Sequence, residues 1–189
     1  MEIEKIKVRL DGLSDIMFDR FIDYSTEPRP AEQKLYLSGD NQVVLPAENI
    51  MSFLFGENPQ GCAKWFEGKK GKQYIQIGMS HVFIDPLIIS FKTKKASITF
   101  KDFDNKQFQI YWASGRTKKG NLSVKQEMKA RPILKLPWSL EFLITIVKNS
   151  FIDETKLYNW FVVGGMQIAL GTYRPRFGRF EIGIWEKAA

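Results

Sequence analysis

The sequence is poor in the residues that build disulfide frameworks and His- or Cys-based metal sites. Among its 189 residues there is one cysteine, Cys62, and one histidine, His81. A single cysteine excludes an internal disulfide and suits a reducing compartment. With one histidine and one cysteine, a zinc site built on these residue types is not expected either.

Long hydrophobic runs are missing too. No apolar stretch reaches the length of about 18 residues that a membrane-spanning helix needs. The opening "MEIEKIKVRLDG" alternates charged with apolar residues and lacks the apolar centre of a signal peptide. We therefore expect a cytoplasmic protein without a membrane partner, and a hydrophobic content of 44% is enough for the core of one domain over 1–189.

Acidic residues are scarce in the middle of the chain. Residues 64–135 contain sixteen Lys or Arg and five Asp or Glu, a net charge of +11, whereas the remainder carries −4. Such an excess is typical either of a polyanion-binding surface or of a solvated lysine-rich one. Three Lys/Gly segments, expected as solvated connections, supply candidate phosphate contacts: Lys69, Lys70, Lys72, Lys94, Lys95, Arg116, Lys118 and Lys119.

The hydrophobic pattern predicts an α+β fold. Strands are expected at 3–10, 138–147 and 178–185, the last with Phe180, Ile182 and Ile184 on one face, and helices at 46–55 and 153–165. Strand, helix and strands followed by strand, helix and strand is the order of ferredoxin-like folds, with an antiparallel sheet and two helices. The basic, β-rich stretch at approximately 68–131 is predicted as an insertion on that frame.

The segment "GTYRPRFG" near the C-terminus combines features of a phosphate- and base-binding loop. Gly171 and Gly178 bracket it, and glycine allows a backbone to approach a ligand closely. Arg174 and Arg176 are two residues apart, so an extended loop would point both the same way, and the planar guanidinium suits phosphate. Tyr173 offers a ring on which a base could stack.

A purely structural interpretation of the same segment is also open. In it, the rings of Tyr173, Phe177 and Phe180 anchor the core, and the arginines pair with Glu181 or Glu186. Arg179 would in that case pair with Glu181 or Asp11.

Four aspartates recur at every fourth position after the first strand: Asp11, Asp15, Asp19 and Asp23. On a helix they would share one face and could attract a divalent cation. However, "DGLSD" begins with turn-forming residues, which argues against a helix here. No metal site, cofactor or catalytic residue is therefore predicted.

Three blocks carry a resemblance to a known family. "GGMQIALGTYRPRFGRFEI" resembles the C-terminal glycine-rich loop of the RAMP superfamily, which builds the backbone subunits of CRISPR effector complexes on modified ferredoxin-like folds. "IKVRLDGLSDIMFDRF" is similar to the first strand and following loop of that family, and "VVLPAENIMSFLF" to the entry into its first helix. The blocks "VVLPAENI", "ARPILKLPWSLEF" and "LGTYRPRFGRFE" also resemble small phage and prophage proteins of about this length.

The resemblance implies single-stranded RNA or DNA held along its backbone in a basic groove. It also implies copies that stack side by side into a filament or ring, and a role in phage replication, recombination or counter-defence. Six residues match the motifs of the family: Gly171, Arg174, Arg176, Gly178, Arg179 and Asn49.

We expect non-catalytic binding, with two alternatives. The first is a mimic that binds subunits of a host CRISPR effector complex. The second is a metal-dependent ribonuclease that uses Asp15 or Asp19, because RNA-cleaving RAMP members carry their catalytic aspartate after the first strand; the glycine-rich pattern that surrounds it there is missing here.

Overall fold

The computed structural model describes residues 2–20, 29–94, 96–103, 106–119 and 122–188. Within residues 114–127 it describes the backbone of the strands but not the side chains. Its elements are β1 (Ile3–Gly12), β2 (Ile16–Met17), β3 (Val44–Pro46), α1 (Ala47–Phe55), α2 (Cys62–Glu67), α3 (Gly71–His81), β4 (Val82–Asp85), β5 (Ile88–Thr93), β6 (Ala96–Ser97), β7 (Phe108–Lys119), β8 (Leu122–Leu134), β9 (Ser139–Val147), α4 (Glu154–Gln167) and β10 (Phe180–Lys187). Short 3-10 helices occupy Ala31–Lys34 and Gly68–Lys70.

An antiparallel main sheet forms the centre of the molecule, in the order β10-β1-β9-β5-β3. β4 and β5 lie along the same edge of β9, one after the other. The predicted α+β class with an antiparallel sheet is thus confirmed. None of the helices in the described ranges is long and apolar enough to cross a membrane.

The core lies between one face of this sheet and the helices. Alternate residues of β9, among them Phe142 and Ile144, are buried, as the period-two pattern predicts. Phe161 of α4 packs on Phe142 with ring centroids 6.2 Å apart, and Phe53 of α1 lies 5.3 Å from Phe161. The two predicted helices therefore cover the face for which their apolar stripes are suited.

Helix α4 continues past the two glycines at which we expected it to end. Asp153 caps its start, accepting a hydrogen bond from the backbone N of Lys156 at 2.8 Å. Gly164 and Gly165 lie inside the helix and are needed for close packing. A β-carbon at Gly164 would lie 2.7 Å from the Cys62 sulfur, and one at Gly165 would lie 2.5 Å from the Phe180 carbonyl oxygen.

A β-bulge in β10 changes the faces of its last residues. Leu10 pairs with Ile182 and Arg9 pairs with Ile184, so that Gly183 is an extra residue. The predicted common face of Phe180, Ile182 and Ile184 is therefore wrong for Ile184. Trp185 takes its place beside the core, 5.6 Å from the Phe161 ring.

The predicted insertion at 68–131 divides into two parts. Its first part forms α3, and then β4 and β5 pair with β9 in the main sheet. Its second part enters a separate three-stranded sheet in the order β2-β8-β7. The segment "GKKGK" is consequently helical, and most of "GRTKKG" belongs to β7.

Strands β7 and β8 form a long two-stranded ribbon, here called the β7–β8 ribbon. They pair from Phe108–Leu134 at the base to Lys119–Leu122 at the far end, which spans about 40 Å. Among the described strands outside the ribbon, β2 alone pairs with it, at Ile133 and Leu134 of the base. The ribbon base thus meets the segment that follows β1.

Candidate nucleic-acid interface

The C-terminal loop, residues 171–179, lies against the segment after β1. The backbone N of Leu170 donates to the Gly178 oxygen at 3.0 Å and closes the loop, while the N of Gly178 donates to the Asp15 oxygen at 2.8 Å. The N of Thr172 donates to the Met17 oxygen at 3.0 Å. These bonds fix the loop beside the ribbon base, since Met17 belongs to β2.

Both loop glycines stand where other residues do not fit. Gly171 and Gly178 have φ angles of +77° and +76°, in the left-handed region. A β-carbon at Gly178 would lie 1.9 Å from the Leu170 oxygen, and one at Gly171 would lie 2.5 Å from the Met17 oxygen. The glycines therefore bring the loop backbone close to its neighbours.

Arg174 and Arg176 do not share the common direction expected of an extended loop. Tyr173 has a φ of +58° and the chain turns at 174–176, which breaks the two-residue alternation. Arg174 is half-buried and donates from Nη1 to the Ala169 oxygen at 3.3 Å, and its burial lowers the pKa of the guanidinium. Arg176 is exposed. Arg174 thus braces the loop against the end of α4, and Arg176 is accessible to a ligand.

Arg179 is fixed by its backbone rather than by an acidic partner. Its N donates to Ser14 Oγ at 3.0 Å, and its oxygen accepts from the N of Leu13 at 2.8 Å. Asp11, one expected partner, instead pairs with Arg9 at 3.0 Å. Within the described part of the chain, the buried Nε of Arg179 has no hydrogen-bond partner.

Aromatic rings connect the loop with the ribbon base. The guanidinium carbon of Arg131 lies 5.3 Å from the centroid of the Tyr173 ring, which is 41% exposed. Tyr111 lies 6.5 Å from Tyr173 and 5.6 Å from Phe177, centroid to centroid. Arg131 and Tyr111 are direct partners across β7 and β8, so the strand register places both at the same level of the ribbon, beside the loop.

A group of cations at this junction shares one carboxylate, that of Asp19. Arg131 Nε lies 2.9 Å from Asp19 Oδ2, and Lys34 Nζ lies 3.9 Å from Asp19 Oδ1. Burial lowers the pKa of Lys34; Asp19 acts against this, and the neighbouring Arg131, Lys129 and Arg29 lower the pKa further. We call Arg131, Lys34, Lys129 and Asp19 the ribbon-base cluster.

Arg131 is nearly enclosed in this cluster. Only 9% of its side chain is exposed, and its buried Nη1 has no hydrogen-bond partner among the described residues. The local sequence around Arg131 gave no sign of this role, because the pairing with Asp19 joins residues 112 positions apart.

Lys69, Lys70 and Lys72 do not form one surface with the loop. Lys69, Lys70 and Lys72 are exposed at and after the 3-10 helix that follows α2. The end of α2 lies at the start of α4, where Glu67 pairs with Lys156 at 2.9 Å. The C-terminal loop follows the opposite end of α4, about 20 Å away along its axis.

The remaining candidate contact residues lie far apart in the fold or outside the described residues. Lys94 is exposed at the end of β5, and Asn49 is half-buried in the first turn of α1. Lys95 lies outside the described residues. Strand β7 includes Arg116, Lys118 and Lys119, but the structure does not describe their side chains.

The aspartates after β1 do not form a shared face. Asp11 lies within β1, next to its last residue, and Asp19 belongs to the ribbon-base cluster. Asp15 Oδ1 accepts a hydrogen bond from the backbone N of Leu136 at 3.0 Å. Asp23 lies outside the described residues. Among the residues that are described, no three His, Cys, Asp or Glu side chains are grouped to hold a metal ion.

Comparisons with known proteins bear on the fold. No family model and no curated protein matches the sequence. A solved chain from the cryo-EM structure of the Type III-B Cmr-beta bound to cognate target RNA is similar, with a TM-score of 0.59 and 12% sequence identity. The match covers 98% of the present chain and 61% of that chain, so the protein spans about three fifths of its neighbour's length.

Proposed function

We propose that the protein binds single-stranded nucleic acid, RNA or DNA, along its phosphate backbone. The site of binding is the junction between the C-terminal loop and the base of the β7–β8 ribbon. The strand is bound without being cleaved. Similarity in fold to a chain of a complex with target RNA supports this proposal, and so does the basic middle of the sequence.

The single observation that carries the proposal is the charge imbalance of the ribbon-base cluster. Arg131 and Lys34 share the carboxylate of Asp19, and Lys129 acts on Lys34 as a further nearby cation; among the described residues, Asp19 is the acid found beside them. Like charges at such short range repel one another, and burial strengthens the repulsion by excluding water. A phosphate group nearby would offset it, and hydrogen bonds to charged groups contribute about 1.5–3 kcal/mol each.

The exposed groups around this cluster favour a single strand over a duplex. Arg176 offers a guanidinium to phosphate from the loop. Tyr173 offers a partly exposed ring, and unpaired bases stack on such rings at about 1–3 kcal/mol per base. Bases in a duplex are already stacked, so they cannot use an aromatic side chain without being displaced.

The strand order supports a finer assignment of the fold. β10, β1, β9 and β4 are adjacent and antiparallel, with α1–α3 between β1 and β4 and α4 between β9 and β10. This order is the one expected of a split β-α-β, ferredoxin-like fold, and we propose that the chain is a RAMP-like domain of that type. Side-by-side assembly and a phage role stay predictions from the sequence resemblance.

Fluorescence anisotropy with a labelled single strand of about 30 nucleotides, longer than one such site, tests the proposal. We expect the wild-type protein to bind, and Arg176→Ala to weaken binding about tenfold, a loss of about 1.4 kcal/mol. Lys148→Ala is the matched control: it also removes one exposed cation, at the end of the main sheet where β1 begins. Absence of binding, or equal losses in both variants, contradicts the proposal.

A second candidate function is that of a subunit mimic, which binds a host CRISPR effector complex in place of one of its subunits. The observation in its favour is that the structural neighbour is part of such an assembly and is longer than this chain. A protein of this kind would bind effector subunits at physiological salt and bind free strands weakly. Co-purification with the subunits, measured beside the anisotropy titration, separates the two functions.

A further inference from the structure

One tryptophan on the β7–β8 ribbon is exposed to a degree that the fold does not explain. Trp112 is 60% exposed, although large aromatic side chains are usually well buried. Its direct cross-strand partner is Ala130, whose methyl group covers little of an indole. Met128, 61% exposed, belongs to the next pair on the same face. Trp112 and Met128 thus make an apolar patch on the ribbon.

This patch is on the opposite side of the ribbon from the C-terminal loop. Successive residues of a strand point to opposite faces. Tyr111 and Arg131, which are paired across the strands, contact the loop and define the inner face. Trp112, Ala130 and Met128 define the outer face. In the described part of the chain, no second strand pairs with β7 along its free edge.

The charge of the ribbon indicates what kind of molecule covers the patch. Between Ser114 and Met128 the sequence contains one acid, Glu127, and four basic residues: Arg116, Lys118, Lys119 and Lys125. Charged residues are depleted at the centres of protein–protein interfaces, so a protein partner does not explain an exposed indole on a ribbon whose sequence is this basic. Cations beside an exposed aromatic ring are the combination that binds phosphates and their bases.

We infer that Trp112 is a stacking site for an unpaired nucleobase of a bound single strand. The inference rests on the proposed function, in which Arg176 contacts a phosphate and the charge of the ribbon-base cluster attracts it. It adds a second contact on the outer face, so that the strand crosses the ribbon. The ligand group at Trp112 is the base, whereas the group at the inner face is the phosphate.

The chain provides a matched control for Trp112. Trp65 is 55% exposed, but it lies on α2 and donates from Nε1 to Gln167 Oε1 at 3.3 Å. Trp138 and Trp160 are buried, and Trp185 is partly buried. A nucleobase that stacks on the ribbon therefore quenches the fluorescence of Trp112 and leaves that of Trp65 unchanged.

The experiment compares wild type, Trp112→Ala and Trp65→Ala on two labelled strands of equal length. One strand carries its bases, and the other has abasic sites with the same phosphates. We expect Trp112→Ala to weaken binding of the base-bearing strand about tenfold and to match wild type on the abasic strand. Trp65→Ala should match wild type on both. In Trp65→Phe, the base-bearing strand should quench tryptophan emission, and in Trp112→Phe it should not.

The outcomes separate this inference from the proposed function. If wild type and Arg176→Ala differ as expected but Trp112→Ala binds the base-bearing strand like wild type, the inference is wrong and the function stands. Equal losses on both strands also overturn it, because they reveal a general change in the ribbon. If wild type binds neither strand, both fail. The quenching measurement on Trp65→Phe keeps Trp112 in place and decides the matter even where Trp112→Ala folds poorly.

Discussion

Two cation–aromatic clusters in this molecule differ in how their charge is balanced. At the start of α4, Lys156 lies 4.9 Å from the Tyr74 ring centroid and pairs with Glu67 at 2.9 Å. At the ribbon base, Arg131 lies 5.3 Å from the Tyr173 ring centroid, but it shares Asp19 with Lys34. Among the described residues, the first cluster has one acid for its cation, whereas the second has several cations for one acid.

The difference separates a structural cluster from a binding one. The cavity at the first cluster, of about 460 Å³, is lined by Glu67, Lys156 and the buried Trp160, and Glu67 and Lys156 pair with each other. At the second, the ring of Tyr173 is partly exposed, and Nη1 of Arg131 has no hydrogen-bond partner among the described residues. Both clusters contain a cation near a ring, so the presence of that motif alone does not indicate a ligand.

The largest expected effect comes from removing one aromatic side chain from each cluster. Trp160→Ala should lower the free energy of unfolding by about 3–5 kcal/mol, because Trp160 is buried and would leave a cavity. Tyr173→Ala should lower it by less than about 1 kcal/mol, the range of an exposed cation–π contact. Urea denaturation measures both, and similar losses would remove the distinction between the clusters.

Gly178→Ala tests whether the loop depends on its close backbone approach. A left-handed φ and a β-carbon only 1.9 Å from the Leu170 oxygen should together lower the free energy of unfolding by at least about 2 kcal/mol. Gly39→Ala is the control, since nothing lies within 4 Å of a β-carbon there. A Gly178→Ala protein as stable as wild type would mean that the loop is not braced as described.

Arg174 and Arg176 should have separable effects. Arg174→Ala removes the hydrogen bond to Ala169 and should lower the free energy of unfolding by about 0.5–1.5 kcal/mol. Arg176→Ala should change it by no more than about 0.5 kcal/mol, while weakening strand binding about tenfold. Thermal melts and anisotropy on both variants measure this. The opposite pattern would make Arg176 the brace and Arg174 the contact.

The smallest effect on strand binding is expected from the lysines near the first cluster, at the start of α4. Changing Lys69 and Lys70 together to alanine should weaken binding less than threefold. They lie at the opposite end of α4 from the loop, and salt screens charges beyond about 8 Å at physiological ionic strength. A loss as large as that of Arg176→Ala, measured on the same strand, would extend the interface over the helices.

Local patterns predicted the parts of the fold that depend on near neighbours in sequence. The apolar periodicity of β9 and α4 and the cap at Asp153 were sufficient to identify those elements. The bulge at Gly183 was not predictable in this way, because it depends on pairing with β1. Likewise Gly164 and Gly165 look like a helix end in sequence, yet they are packing positions against Cys62 and Phe180.

The candidate site was predictable only in its loop. Gly171, Gly178 and the arginines between them form a compact motif that can be recognised in the sequence. Arg131 and Lys34 could not be recognised, since each acquires its role from partners about 15 to 112 positions away. The charge excess in the middle of the chain predicts a basic surface, but it could not show that some of these lysines lie at the opposite end of α4 from the loop.

The salt dependence of strand binding tests the phosphate contacts at the ribbon base most directly. The logarithm of the affinity should fall linearly with the logarithm of the salt concentration, by about 0.7 for each phosphate neutralised on a single strand. Arg176→Ala should make this slope shallower by about 0.7, and Lys148→Ala should leave it unchanged. A flat wild-type slope, or the same change in both variants, would contradict binding of phosphates at this junction.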